Sequence, residues 1–391
     1  MFKKALFQLH WILGISAGIV LAMVGMSGAL LSYKDLILDW LNGDAYVVNS
    51  SAAVLDKTQL IAAITRQLPG KRVISLTFSP EPNRAVRISL TDKRAGKERV
   101  QSGADNKPAP AKRERRYVNP FTGSLLQTAQ GRGDAFFAAT EQFHRNLLAG
   151  ANGKALVGAS TIVLVFMALS GLYLRWPRRP LDWRAWLKMS LRLRGRAFWL
   201  RLHSVLGTYV LISYLLLALT GLFFAYPWYR AALVNLVGAQ LPSRGPTALS
   251  DLDIGPPDAE RVWQSFQGLH VSFTSAELSI PERPTQAAEV RYLPADAVHE
   301  RAFNRLVVRP DTGEVLRHER FEDKGAPDRF IASMFPLHAG SYFGPLGVFV
   351  TMLASLAMPI FAVSGWILYL GRRARARNDA LAPSTMIIDS K

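Results

Sequence analysis

The sequence predicts an α-helical integral membrane protein with four transmembrane helices in two tandem parallel repeats, each carrying a small α+β domain outside the membrane. Three observations lead there. The chain has 391 residues and 49% of them are hydrophobic, yet the apolar residues gather into four runs instead of spreading evenly. Each run is long enough for the ~20 residues, at 1.5 Å rise each, that cross a hydrocarbon core. Residues of the first half also recur in the second at nearly constant spacing.

The first run, Trp11 to Tyr33, places a transmembrane helix within residues 1–33. Lys3, Lys4 and the small residues Ser27, Gly28 and Ala29 resemble a signal peptide, but the run exceeds the usual apolar core of about 7–15 residues, so an uncleaved helix is expected. Residues 34–133 form the first outer α+β domain. Residues 134–176 hold an interfacial segment and the second helix, with its apolar run from Ala155 to Trp176. A basic loop, 177–202, precedes the third helix at 203–226, whose run is Val205 to Tyr226. The second outer domain, 227–327, leads to an interfacial segment and fourth helix at 328–371, with the run Pro345 to Leu370. Residues 372–391 are a tail.

Orientation follows from the basic residues that flank the helices. From Arg175 to Arg201 the chain carries nine Lys or Arg against Asp182 alone, and the tail opens with Arg372, Arg373, Arg375 and Arg377. Short segments so enriched stay in the cytoplasm. Both termini and the basic loop are therefore expected inside, and 34–153 and 227–344 outside. The net charge of +18 fits anionic lipid headgroups beside the helix ends, and a nucleic-acid partner is not expected. The absence of cysteine excludes disulfides, thiolate iron–sulfur ligation and covalent haem attachment.

The repeat can be followed residue by residue. His10, Gly14 and Gly28 match His203, Gly207 and Gly221 at one constant offset. At an offset one residue longer, Asp134, Phe136, His144, Gly150 and Gly171 match Asp328, Phe330, His338, Gly344 and Gly365. The outer segments repeat as well: "YVNPFTGSLL" and "LVVRPDTGEVL" each read as strand, Pro-x-Thr-Gly turn and strand, after the alternating runs "AVRISL" and "AEVRYL". Two polar, Pro-rich stretches, 102–116 and 242–260, are expected to be mobile outer loops.

Four of the seven histidines fall on matched positions at membrane edges. His10 and His203 lie near the cytoplasmic interface, His144 and His338 near the outer one. A two-fold axis along the membrane normal brings each pair face to face. Two imidazoles across an apolar gap suit a b-type haem held without covalent attachment. Gly14, Gly18, Gly25 and Gly28 share a helical face with His10, either as a haem cradle or as a plain helix-packing surface. For the histidines the competing role is hydrogen bonding or anchoring at the interface. His270, His299 and His318 have no matched partner and are expected at the surface of the second outer domain.

The starts "LHWILG" and "LHSVLG", the later "FHRNLLAG" and "LHAGSYFG", the Ser-Gly helix ends and the Pro-x-Thr-Gly turns resemble the PepSY-associated transmembrane helix family over nearly the whole chain. The two-halved, four-helix form is similar to the inner-membrane ferric-siderophore reductases of ferrioxamine type within it. The resemblance implies PepSY-like periplasmic domains and a multi-pass protein of the bacterial inner (cytoplasmic) membrane with both termini cytoplasmic. It also implies two bis-histidine b-type haems, with His10 and His203 the axial iron ligands of an inner one and His144 and His338 those of an outer one. Electrons then pass to a ferric siderophore or other iron(III) chelate in the periplasm, where reduction releases iron(II). No residue is assigned a catalytic acid or base role. No Gly-x-Gly-x-x-Gly opens a βαβ unit, so no flavin or NAD domain is expected in this chain, and the electron donor is a separate quinol or cytoplasmic-side flavoprotein. The alternative is a membrane-anchored PepSY interaction or regulatory protein that binds a periplasmic partner without redox activity. A transporter is the third reading; it expects intramembrane charges or broken helices, of which only Pro359 gives a sign.

Overall fold

The computed structural model describes residues 1–48, 53–93, 114–126, 131–190, 192–240, 247–249, 254–283 and 285–381. In chain order the helices are α1 (Phe2–Leu31), α2 (Lys34–Asn42), α3 (Lys57–Gln67), α4 (Asp134–Asn146), α5 (Gly150–Arg175), α6 (Trp183–Leu187), α7 (Gly195–Ala225), α8 (Pro227–Val237), α9 (Ala259–Gln267), α10 (Ala326–Ala332), α11 (Met334–Ala339) and α12 (Gly344–Leu381). The strands are β1 (Lys71–Phe78), β2 (Val86–Asp92), β3 (Glu114–Val118), β4 (Phe273–Ser279), β5 (Ala288–Pro294), β6 (Asn304–Val308) and β7 (Val315–Glu319). They make two compact units. One is Met1–Lys34, Phe137–Leu233 and Leu337–Lys391; the other is Asp35–Phe136 and Val234–Pro336.

The first unit is a helical bundle in which four segments, Phe2–Leu31, Gly150–Arg175, Gly195–Ala225 and Ser341–Arg375, are long and apolar enough to cross a membrane. Helices α1, α7 and α12 run past the expected apolar runs at their basic ends, whereas α5 stops at Arg175. Lys and Arg are good helix formers whose stems lie along apolar surface while the charge reaches the interface. For the same reason α12 continues through Arg372 and Arg373 to Leu381, beyond the boundary expected at 371. Helix α1 packs on α5 and α12, and α7 packs on the same two, so α1 and α7 face each other across a diagonal.

Pro359 lies inside α12 without ending it. Proline has no N–H to offer the carbonyl four residues earlier, which is that of Ser355. Gly25 of α1 approaches this carbonyl so closely that an added Cβ falls 2.6 Å from the oxygen and 2.7 Å from Met358 Cβ. The small residue and the proline thus act together at one helix crossing. Gly25→Val is expected to lower stability by about 1–3 kcal/mol or more through overpacking, read as a lower thermal midpoint in detergent, whereas Gly18→Ala, whose added carbon meets only Ala362 at 3.8 Å, leaves it nearly unchanged.

The second unit holds the strands of both expected α+β segments together. Its strands form one antiparallel sheet in the order β3-β2-β1-β4-β5-β6-β7. The two halves join where β1 pairs with β4, from Ser75 opposite Ser279 to Phe78 opposite Ala276. A three- or four-stranded sheet ending at β1 or β4 leaves a row of unpaired backbone groups, and joining the two edges satisfies both. Ser75, buried at the seam, donates from Oγ to Glu277 Oε1 at 2.8 Å. Helices α3 and α9 bury Leu60, Ile64, Val262 and Phe266 with Leu76, Ile88, Val290 and Leu306 of the sheet in one core. Asp56 and Asp258 cap these helices, and the Lys57 N–H donates to Glu260 at 2.8 Å, which ties the two helix starts together.

Several sequence expectations change in detail. The Pro-x-Thr-Gly turn at Pro310 joins two paired strands, β6 and β7, but the one at Pro120 is followed only by an isolated bridge from Val118 to Leu125. Of the expected loop 102–116, residues 102–113 lie outside the described residues, while 114–116 belong to β3, paired with β2. Within 242–260, Ala248 bridges to Gln286 and Ala259 opens α9; residues 242–246 and 250–253 lie outside the described residues.

Candidate functional site: two facing histidine pairs

His10 on α1 and His203 on α7 meet across the bundle diagonal, with ring centres 6.5 Å apart and planes at 73°. His144 at the end of α4 and His338 on α11 form a second pair, 6.2 Å apart at 65°. All four matched histidines are therefore brought together two by two, and with the partners expected.

Each ring is held at Nδ1 by a hydroxyl from another helix. His10 meets Ser170 Oγ at 2.7 Å, His203 meets Ser364 Oγ at 2.8 Å, His144 meets Ser27 Oγ at 3.2 Å and His338 meets Thr220 Oγ1 at 2.9 Å. These hydroxyls donate to carbonyls of their own helices: Ser170 to Met167, Ser364 to Phe361, Ser27 to Met23 and Val24, Thr220 to Leu216. With its proton so used, each oxygen accepts from the imidazole. His144 Nδ1 also lies 3.0 Å from the carbonyl oxygen of Val24, which only accepts. The carbonyl contact assigns the proton to Nδ1 and the lone pair to Nε2 in His144, and the hydroxyl contacts of the other three rings fit the same tautomer. No hydrogen bond to Nε2 of these four is found among the described residues.

The Ser and Thr partners were not singled out as ligand supports in the sequence, although a signal was present. Every spanning helix contains a hydroxyl residue followed by glycine: Ser27-Gly28, Ser170-Gly171, Thr220-Gly221 and Ser364-Gly365. Three of these glycines make room for a ring. A Cβ on Gly28 falls 3.1 Å from His144 Cε1, one on Gly171 falls 3.3 Å from His10 Cε1, and one on Gly221 falls 3.6 Å from His338 Cε1. Of the stripe on α1, Gly28 therefore serves a histidine, Gly25 serves helix packing, and Gly14 and Gly18 face a cavity.

Backbone turns fix the second pair. After His144 the chain turns through Leu147, Leu148 and Gly150 with φ of 53°, 58° and 56° before α5 begins. Left-handed leucines are costly, and such strain persists where surrounding structure enforces it. After His338 the corresponding turn uses Gly340 and Gly344, at φ 84° and 68°. Both histidines are thereby held at the mouth of a helix and directed into the bundle.

A cavity of about 670 Å³ adjoins the first pair, within the usual 300–1,000 Å³ of cofactor pockets. Its walls are largely apolar and include His10, Gly14, Gly18, His203, Gly207 and Phe361. No cluster of three or more His, Cys, Asp or Glu suited to a metal ion exists among the described residues. A bare ion finds only two protein ligands at each pair, whereas a macrocycle brings its own in-plane donors. A metal about 2 Å from each of two opposed ligating nitrogens separates the ring centres by roughly 6 Å. The two pairs have that spacing, free Nε2 lone pairs, hydroxyl support behind each ring and apolar walls, so the residues fit axial ligation of a haem.

The other histidines are not all at the surface. His299 is buried, with Nε2 at 2.9 Å from Ser333 Oγ and Nδ1 accepting from the Arg301 N–H, and burial pushes its pKa below the ordinary value. His318 Nε2 contacts the Tyr292 hydroxyl at 2.8 Å. Both complete polar contacts inside the second unit, which a reading without the fold takes for solvent exposure. His270 occupies a turn at φ 50° and bonds the carbonyl of Gly268.

A family model described as the PepSY-associated TM region matches residues 7–372 of the chain. None of the curated proteins matches it.

Proposed function

The chain belongs to the PepSY-associated TM family of membrane proteins, and from this premise we propose that it is a dihaem b-type transmembrane electron-transfer protein that reduces ferric siderophores or similar iron(III) chelates outside the bacterial inner membrane. The observation that carries the reading is the pair of histidine pairs at 6.5 Å and 6.2 Å, each ring anchored at Nδ1 by a hydroxyl of another helix. In this reading the chain is two tandem parallel repeats with both termini in the cytoplasm. The sheet unit is periplasmic, and the donor is a separate quinol or flavoprotein.

A bound b-type haem supplies one-electron iron chemistry. The chain's own residues do the rest. His10 with His203, and His144 with His338, would hold the haem irons. Ser170, Ser364, Ser27 and Thr220 hold the rings in the required tautomer, as groups behind metal-ligating histidines do. Leu164, Val210, Tyr214, Ala218, Ala354 and Met358 pack into a buried apolar cluster, of which Leu164, Tyr214 and Met358 also line the cavity. Hard oxygen donors favour iron(III) over iron(II), so one electron delivered to such a chelate loosens its iron, and no acid or base residue is required.

The test is a reduced-minus-oxidised optical spectrum of purified protein with a haem-to-protein ratio. Two bis-imidazole haems per chain, extractable by acidified organic solvent, are expected; a colourless protein favours the interaction reading instead. Ser364→Ala is expected to weaken retention of the haem at His203 by about 10- to 100-fold while sparing the other site, because Nδ1 loses its acceptor. Competitive transfer of haem to an apo-acceptor protein measures this directly.

A further inference from the structure

The cavity beside His10 and His203 is apolar along its walls and basic where the helices end. Lys3, Lys4, Arg175, Arg196 and Arg372 line it, and no acidic residue does. Among the described residues none of these five is ion-paired.

Two buried donors of the same wall have no hydrogen-bond partner, Trp11 Nε1 and Arg175 Nη1. The rest of each side chain is fixed. Arg175 Nη2 donates to the carbonyls of Ala185 and Trp186, and the guanidinium lies over the Trp186 ring at 5.8 Å. Trp11 stacks on Tyr369 with ring centres 5.1 Å apart, and Arg372 lies over its ring at 5.9 Å. Buried donors rarely lack an acceptor in folded proteins. Both residues line the cavity, so a small side-chain shift lets a ligand there supply the missing acceptor.

We infer that the cavity takes a ligand with an anionic, hydrogen-bond-accepting edge, bound by Arg175 and Trp11 with Arg196 and Arg372 adding charge. Resting on the haem reading above, that edge is the pair of propionate carboxylates of the inner porphyrin. A guanidinium already pinned along one side is preorganised to give its other side to a carboxylate, and a charge-assisted bond in an apolar cavity is among the stronger kinds.

The experiment uses full-length protein in detergent with His338→Ala, so that the inner pair is loaded alone. Iron protoporphyrin and its dimethyl ester are titrated in turn, and the bis-imidazole absorbance is read. Arg175→Gln is expected to raise the dissociation constant for the diacid about tenfold to a hundredfold, and Trp11→Phe, which keeps the stack on Tyr369, about two- to tenfold. Neither is expected to change diester binding. Diacid binding as tight as in the parent overturns the inference. So does equal loss for diacid and diester, which assigns Arg175 to holding the 185–186 segment, or to lipid, instead. If the parent itself gives no bis-imidazole spectrum, the haem reading falls and takes this inference with it; a normal parent spectrum with insensitive variants removes the inference alone.

Discussion

On the proposed dihaem reading, His203→Ala is expected to lower the haem content from about two to about one per chain, and His10→Ala to do the same, because each removes one of the two histidines facing each other at the first pair. His144→Ala and His338→Ala remove the other haem. Within a pair the second substitution adds nothing, so His10→Ala with His203→Ala still leaves one; across pairs, His203→Ala with His338→Ala leaves none. The pattern separates ligation from general damage. A misfolded bundle loses both haems together, while a ligand variant loses one and keeps the bis-imidazole spectrum of the other. Glutamine at the same positions fills more of the space than alanine and still fails to ligate, which controls for the cavity left by truncation. Retention of both haems by all four single variants removes the ligand assignment.

The second large effect concerns direction. With donor on the inner side, His144→Ala or His338→Ala is expected to abolish reduction of an external ferric chelate while the remaining haem at His10 and His203 is still reduced. His10→Ala is expected to prevent that reduction as well. Proteoliposomes with donor inside and chelate outside distinguish the two, with the spectrum reporting reduction of the haem and an iron(II)-specific dye reporting the product. Chelate reduction at parental rate in both variants excludes a relay across the membrane and leaves the sheet unit's binding of a partner as the better reading.

Parts of this design are legible in the sequence because they depend on local pattern. Four apolar runs of sufficient length identify four helices without reference to any neighbour. The matched histidines are legible because a repeat places equivalent residues at equivalent heights. The hydroxyl-glycine pairs were open to the same reading, since Ser27-Gly28 and Thr220-Gly221 stand at one offset and Ser170-Gly171 and Ser364-Gly365 at the other. They look like ordinary small-residue packing until a ring is seen against three of the four glycines, Gly28, Gly171 and Gly221.

The sequence by itself determined which segments are helices of membrane length, which histidines form two pairs, and the strand-turn-strand unit at Pro310, because hydrophobic run length and period act over a few residues. Only the tertiary structure decided the rest. The joining of the strands into one sheet at β1 and β4 rests on backbone hydrogen bonds, which carry no residue code. The burial of His299 depends on Ser333, and the tautomer of His10 on Ser170, contacts set by how distant elements are rotated against each other. The basic end of the cavity exists because Lys3, Arg175, Arg196 and Arg372, which in sequence belong to three separate basic clusters, lie on four helices whose ends surround one space.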